Sequence, residues 1–329
     1  MMLILTAEDV LAALPMKDAI AGMKRAYAAI SHGRVRMPGP ARVSVPQISA
    51  EVSTVPVLVK NPEGEALAVK TTAVFPDNAV HGIPIVHTAV QVLDPATGRI
   101  DALIEGTMIS AIRTGAGAGV AAALLARENA RTVSIFGAGQ YAAQVLRGVC
   151  AVRRIERVLV HSPHREVTTF AGEVAGFPGV PADIRVTSDV PSATSRADII
   201  CTVTSSATPV FADRDVRPGT HINGIGSFRP SMAEIPHLTI ARSLLVVDSR
   251  SHALAEAGDI IQPILAGQIP ASHIHAEIGE LISGDLPGRT SADQVTCFKS
   301  IGLAALDAVV ATIVLRNARA TGLGVRVRF

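Results

Sequence analysis

A short apolar strand that turns through two glycines directly into a helix constrains this chain more than any other feature. The segment reads Thr132-Val133-Ser134-Ile135-Phe136-Gly137-Ala138-Gly139-Gln140-Tyr141-Ala142. Strand, glycine turn and helix in immediate succession make the first half of a βαβ unit, which demands a parallel sheet covered by helices. The surroundings keep the same rhythm. Residues 112–127, rich in Ala and Gly, read as a helix; 140–151 and 166–175 also read as helices, with a strand at 158–161 between them. Residues 184–187, 199–202, 220–223 and 244–247 follow as short apolar strands. The expected fold class is α/β, with a doubly wound parallel Rossmann domain over residues 111–302.

The chain before residue 111 has a different texture. Residues 16–31 predict a helix with Ile20, Met23, Tyr27 and Ile30 on one face and Gly33 at its end. Short β-rich runs then fall at 41–45, 55–59, 66–74 and 86–93, and Asp94-Pro95-Ala96-Thr97-Gly98 turns the chain into a run at 100–104. Strands that return without intervening helices predict a smaller α+β domain with a mostly antiparallel sheet. It spans residues 1–110 and is rejoined by 303–329 through a long final helix at 300–320. A chain of 329 residues is too long for one comfortable core, in keeping with two domains.

Composition removes several classes of function. With 48% hydrophobic and 18% charged residues the chain is globular rather than disordered. A net charge of +2 without a basic stripe, together with two Tyr and no Trp, gives nucleic acid nothing to bind. The first six residues are apolar, but Glu8 and Asp9 follow at once, so neither a signal peptide nor a membrane span is expected. Cys150, Cys201 and Cys297 lie far apart and match no metal or redox spacing. They read as small core residues of a protein kept reduced in the cytoplasm.

The glycine turn carries the chemistry. Gly137 permits the tight turn, Gly139 lets backbone amides approach a pyrophosphate, and Ala142 lets helix and strand pack closely, with Ala138 and Gln140 completing the turn. The helix start adds its N–H groups and positive dipole end. A glycine turn can also serve packing alone, but the flanking strand and helix favour a dinucleotide. Cofactor choice is read at the end of the second strand, where an acidic residue selects NAD. Here Val158-Leu159-Val160-His161-Ser162-Pro163-His164-Arg165 contains no carboxylate, and Ser162 and Arg165 suit a 2′-phosphate. The expected cofactor is NADP(H), with NAD(H) as the weaker possibility. Thr202 and Ser300 join the candidate cofactor contacts.

Several runs in a fixed order then give the chain a resemblance to the ornithine cyclodeaminase/mu-crystallin family. They are Ile112-Arg113-Thr114-Gly115-Ala116, the Gly137–Gly139 turn, His221-Ile222-Asn223-Gly224-Ile225-Gly226-Ser227, Val247-Asp248-Ser249, Glu277-Ile278-Gly279-Glu280-Leu281 and Phe298-Lys299-Ser300-Ile301-Gly302. The resemblance implies a homodimer whose β-rich domain forms the interface and holds a small imino or amino acid. It also implies chemistry at a carbon bearing nitrogen and a carboxylate. It assigns Arg42 and Arg113 to that carboxylate, Lys70 to the reacting carbon as the catalytic residue, and Thr114 to the cofactor phosphates. These residue types suit the roles: paired guanidinium donors orient a carboxylate, and lysine supplies a charge or a proton. Set between two arginines, Lys70 is expected to lose its proton more readily than free lysine.

One departure narrows the reaction. Cyclodeaminases and the related alanine dehydrogenases carry an aspartate after the Gly-Ile-Gly-type turn, where this chain has Phe228 within Gly226-Ser227-Phe228-Arg229-Pro230. Phenylalanine neither accepts a proton nor orients a water. The resemblance therefore favours the ketimine reductase branch: NADPH-dependent reduction of pyrroline-2-carboxylate or piperideine-2-carboxylate to proline or pipecolate. Ornithine cyclodeaminase, an alanine-type dehydrogenase and a crystallin-type binding protein are the alternatives. His81 and His87 are secondary candidates for proton transfer. Asp248 reads as a turn residue or a catalytic one, and Glu277 and Glu280 as helix caps. His273 and His275 do not have zinc-ligand spacing, and no metal site is expected.

Overall fold

The computed structural model describes residues 1–163 and 167–328, the side chain of Gln47 excepted. In chain order the elements begin with β1 (Met2–Leu5), α1 (Ala7–Ala13), α2 (Met16–Ser31), β2 (Val35–Arg36), β3 (Ala41–Val45), β4 (Ala50–Asn61) and β5 (Gly64–Val74). Next come β6 (Val86–Leu93), β7 (Ile100–Glu105), α3 (Gly106–Leu125), β8 (Thr132–Phe136), α4 (Gln140–Cys150), β9 (Arg157–His161), α5 (Val167–Val174) and β10 (Ile184–Val186). The remainder are α6 (Val190–Arg196), β11 (Ile199–Thr202), β12 (His221–Gly224), α7 (His237–Arg242), β13 (Leu244–Val247), α8 (Arg250–Glu256) and α9 (Gly258–Leu265). The last are β14 (Ile274–Glu277), α10 (Ile278–Ser283), β15 (Thr296–Lys299), α11 (Ala304–Thr321) and β16 (Val325–Val327). They fall into two compact units, Met1–Arg113 with Leu303–Phe329, and Thr114–Gly302.

The first unit is built on a sheet in the order β16-β1-β7-β6-β5-β4-β2, with β3 also on β4. Its pairings are antiparallel except β1 with β7. Alternation along a strand sends Ala66 and Ala68 of β5, Val57 and Val59 of β4, and Val90 and Val92 of β6 to one buried face. Helix α11 covers β4, β5 and β6 and also packs on α2. Ala19, Met23, Ala26 and Tyr27 form the buried stripe of α2. Lys70 continues the row begun by Ala66 and Ala68, so the same period that builds the core turns a lysine inward.

The second unit is an all-parallel sheet in the order β10-β9-β8-β11-β12-β15-β13-β14. The chain starts at β8, runs outward through β9 and β10, then returns to β11 on the other side, which makes β8/β11 the switch point. Both faces are buried. Val133, Ile135, Ile199 and Cys201 pack on one side with Val145, Leu146 and Phe170. Phe136, Ile200, Ile222 and Leu245 pack on the other with Ile240 and Ile260. Continuous apolar strands are what such a two-sided burial requires.

Two helix boundaries differ from the sequence reading, each because a carboxylate takes the local backbone. Helix α3 starts at Gly106, not at 112: Glu105 accepts from the amides of Thr107 (2.7 Å) and Met108 (2.8 Å) and so caps a turn that glycine and threonine do not advertise. Helix α11 starts at Ala304, not at 300, because Asp248 holds the amides of Ile301 (2.8 Å) and Gly302 (2.7 Å) outside any helix. Strands β1, β2, β14, β15 and β16 went unread. At two to four residues each, they are too short to show a period.

Candidate active site

In the first unit Lys70, Ser110, Arg113 and Asp307 converge. Lys70 Nζ lies 3.0 Å from Asp307 Oδ1 and donates to Ser110 Oγ at 3.0 Å. Ser110 Oγ donates to Asp307 Oδ1 at 2.7 Å, and Arg113 Nε reaches the same oxygen at 3.5 Å. The Asp307 carboxylate is wholly buried, while the Lys70 and Arg113 side chains keep 17% and 10% of their surface exposed. One carboxylate is thus shared by two cations that retain an edge toward solvent, and the cluster carries one surplus positive charge. Burial lowers the pKa of Lys70, Asp307 works against that, and Arg113 adds to it. Burial also pushes the Asp307 carboxyl up, but Lys70 and then Arg113 outweigh it and hold the group below its usual value. The expectation that two arginines set the state of Lys70 is therefore corrected. A carboxylate is its direct partner, and of the two arginines only Arg113 shares that partner.

Arg42 stands apart from this cluster. On β3 it pairs in register with Ser53, which pairs with Thr72 on β5, so Arg42, Thr72 and Lys70 share a sheet face. Strand and residue spacings put the Arg42 and Lys70 Cα atoms about 12 Å apart. The guanidinium is half exposed and bonded to Glu51 at 3.1 Å. His87 pairs with Ala73 and leaves the opposite face of the sheet from Lys70, and it is exposed.

Asp307 was missed in the sequence. Its signal is a single acidic residue in the otherwise apolar run Ala304-Ala305-Leu306-Asp307-Ala308-Val309-Val310 of a buried helix. Lys, Glu, Arg and Asp are almost never fully buried unless paired. Asp307 on one element therefore called for a buried cation on another.

In the second unit Gly137, Ala138, Gly139, Gln140, Ser162, Thr202 and Ser300 lie at or just beyond the carboxyl ends of β8, β9, β11 and β15. Gly137 N donates to His161 O, and Val203 N to Phe136 O, which ties the turn to both neighbouring strands. Gly137 has φ +108°, and a Cβ there would meet Val203 O at 2.4 Å, so the turn admits only glycine. Gly139 is the N-cap of α4 and places no side chain over the helix start. Ala138 is buried beneath the turn, Gln140 is exposed on it, and Ser162 follows the end of β9. Thr202 ends β11 with its hydroxyl buried and without a hydrogen-bond partner among the described residues. Thr114 is buried in α3. Arg165 lies outside the described residues. Ser300 follows the end of β15, and its hydroxyl donates to Asp248 at 3.0 Å. The glycine cradle and the helix start behind it fit a dinucleotide pyrophosphate, and the unsatisfied Thr202 hydroxyl offers a further polar contact.

The other candidates have structural partners. Asp248 is buried and accepts from Ser300, Ile301 and Gly302. Glu277 and Glu280 form a capping box on α10, as the sequence suggested. His273 and His275 bond to the carbonyls of Ile240 and Pro287. Among the described residues no three His, Cys, Asp or Glu side chains gather as a metal site.

A doubly wound parallel sheet with a glycine cradle at its switch point defines a Rossmann-type dinucleotide-binding unit, and the other unit carries a buried cluster with surplus positive charge. The chain belongs to the Ornithine cyclodeaminase/mu-crystallin family, whose profile matches residues 1–322. A Delta(1)-pyrroline-2-carboxylate reductase of Bacillus cereus is 39% identical to it over 334 aligned positions, covering all of both chains. Among solved structures, the Thermococcus litoralis Delta(1)-pyrroline-2-carboxylate reductase in complex with NADH and L-proline superposes with a TM-score of 0.92. It is 36% identical and covers 99% of this chain and 100% of that one. An archaeal alanine dehydrogenase dimer with bound NAD gives a TM-score of 0.89 at 29% identity, covering 100% and 99%.

Proposed function

We propose that this chain reduces the C=N bond of a cyclic 2-imino acid, pyrroline-2-carboxylate or piperideine-2-carboxylate, with NADPH as the preferred cofactor. The observation that carries the reading is the buried Lys70–Asp307–Arg113 cluster, whose surplus charge of one matches a single substrate carboxylate. The reductase relatives support the same reaction class.

Bound reduced nicotinamide supplies a hydride. The residues of the chain do the rest. Arg113 of α3, with Arg42 from the sheet face that carries Lys70, holds the substrate carboxylate and fixes which carbon is presented. The Lys70 ammonium spends two N–H bonds on Asp307 and Ser110, which leaves one for the substrate nitrogen. That remaining N–H would give its proton to the substrate nitrogen as the C=N bond is reduced, so that the product would carry a new C–H bond at C2 and a secondary amine. The lowered pKa of Lys70 eases that transfer, and Asp307 keeps the lysine charged until it happens. Ornithine cyclisation requires a group to manage departing ammonia, and Phe228 at the family's aspartate position offers none.

The preference for NADPH rests on His161-Ser162 at the end of β9, where a carboxylate would select NAD, and on Arg165 in the sequence. The reading includes a homodimer in the cytoplasm. The test uses NADPH deuterated at the transferred C4 position with each cyclic imino acid. The expected product is proline or pipecolate with one deuterium at C2. Product without deuterium, or no product, overturns the proposal.

A further inference from the structure

A second buried charge cluster lies in the dinucleotide unit, in residues that the proposed chemistry does not use. Glu234 has no exposed surface, and its carboxylate accepts four hydrogen bonds. Oε1 accepts from Thr204 N at 2.6 Å and Thr204 Oγ1 at 2.8 Å; Oε2 accepts from Gly226 N at 2.7 Å and Ser227 N at 2.9 Å. Thr204 belongs to the loop leaving β11, and Gly226 and Ser227 to the loop leaving β12. One carboxylate therefore holds two loops that leave the sheet on the same edge.

Glu234 is itself fixed from behind. Asp259, at the start of α9, accepts from the amides of Glu234 at 2.7 Å and Ile235 at 3.0 Å. The other Asp259 oxygen lies 3.1 Å from Lys299 Nζ, and both side chains are wholly buried. Lys299 is the last residue of β15, in register with Gly224 of β12. The chain Lys299–Asp259–Glu234 thus runs from the end of one strand to the loops after two others. The loops are also in close contact: a Cβ on Gly226 would meet Thr204 O at 2.0 Å.

The position of these loops decides what the brace is for. In a doubly wound sheet the ligand crosses the carboxyl ends at the switch point, and the ribose of the adenine half meets the end of the second strand. Here that strand is β9, so the opposite half of the dinucleotide lies over β11 and β12. That half carries the nicotinamide. A packing role alone would be served by an apolar residue, and burying a carboxylate is unfavourable unless its hydrogen bonds are all made. Burial raises the Glu234 pKa and Asp259 adds to that, while Lys299 and the two Thr204 donors favour the charged form.

We infer that Glu234 is a positioning residue for the nicotinamide half of the cofactor, setting the spacing of the Thr204 and Gly226–Ser227 loops on which that half rests. This rests on the cofactor reading above. A glutamine at 234 has one acceptor oxygen and turns an amide N–H toward donors, so it holds one loop and releases the other.

The test measures NADPH binding by fluorescence titration in the unmodified protein, E234Q and T204V, with thermal midpoints recorded beside it. E234Q is expected to weaken NADPH at least tenfold. The affinity for ADP-ribose, which has no nicotinamide, is expected to change less than threefold. T204V removes one of the four bonds and is expected to weaken NADPH by a smaller factor with little change in midpoint, so the inference stays testable even where E234Q folds poorly. A folded E234Q that binds NADPH as tightly as the unmodified protein overturns the inference and leaves the cofactor reading intact. Equal losses for NADPH and ADP-ribose overturn it as well, since they mark a structural role. An unmodified protein that binds neither NADPH nor NADH overturns both.

Discussion

Replacing Asp307 by asparagine removes one charge from the centre of the proposed site while keeping shape and an acceptor for Ser110. Lys70 Nζ and Asp307 Oδ1 are 3.0 Å apart and the carboxylate has no exposed surface. At an effective dielectric of about 20 the attraction at this separation is about 5.5 kcal/mol before desolvation is counted. Removing one member of a buried pair typically costs about 3–5 kcal/mol. Near neutral pH, D307N is therefore expected to lose about 3–5 kcal/mol of stability. The loss has a characteristic pH dependence. Without Asp307 the folded-state pKa of Lys70 falls further below its unfolded value, so the unfolded chain binds the extra proton. Stability of the variant then rises with pH across that window, and its deficit against the unmodified protein shrinks toward alkaline pH. The acid side has the opposite sign. Asp307 has a depressed carboxyl, so its contribution is present above the ordinary carboxylate range and is lost as pH falls through its folded value. Catalysis should report the same change: the alkaline limb of the kcat/KM profile, where Lys70 loses its proton, moves to lower pH in D307N. Urea unfolding from about pH 3, below the ordinary carboxylate range, to about pH 10 and pH–rate profiles on both proteins supply the measurements. Stability within about 0.5 kcal/mol of the unmodified protein, the range of ordinary surface substitutions, together with an unmoved alkaline limb, refutes the assignment of Asp307.

Other outcomes follow from the same geometry. Lys70→Met should lower turnover by roughly 10²–10⁴-fold, the usual worth of a positioned acid, with NADPH binding unchanged by fluorescence titration. Lys70→Arg should not restore it, because guanidinium holds its proton near neutral pH; recovery of most activity would reduce Lys70 to an electrostatic anchor. Arg165→Ala should erode the preference for NADPH over NADH by about 1.5–3 kcal/mol, the range for a hydrogen bond to a charged group. Equal affinities in the unmodified protein would contradict the NADPH reading. Light scattering across micromolar concentrations should give the mass of a dimer, and a monomer throughout would overturn the proposed assembly.

How much was legible in the sequence depends on the range of the interaction. The β8–α4 turn is local: a buried strand, Gly137 and a helix start are contiguous, and the strain at Gly137 leaves one residue type possible there. Lys70 was reached through the family resemblance, although Ala66 and Ala68, four and two residues before it, already mark the inner face of β5. Asp307 was not reached, because its partners are 237 and 194 positions away in sequence and nothing beside it is polar. The Glu234 brace was hidden for the same reason. Its donors lie on two loops, and Asp259 and Lys299 come from α9 and β15, so no spacing rule connects them. The start of α3 was misread because Glu105 caps it from outside the usual cap pattern, and the start of α11 because Asp248, distant in sequence, holds Ile301 and Gly302 out of the helix.

The central claim is that the Lys70–Asp307–Arg113 cluster serves an imine already formed. Its most direct test is a comparison of initial rates on one preparation: NADPH oxidation with pyrroline-2-carboxylate and piperideine-2-carboxylate, beside ornithine with NAD. The account predicts turnover of at least one cyclic imino acid and none of ornithine. Turnover of ornithine alone would contradict it.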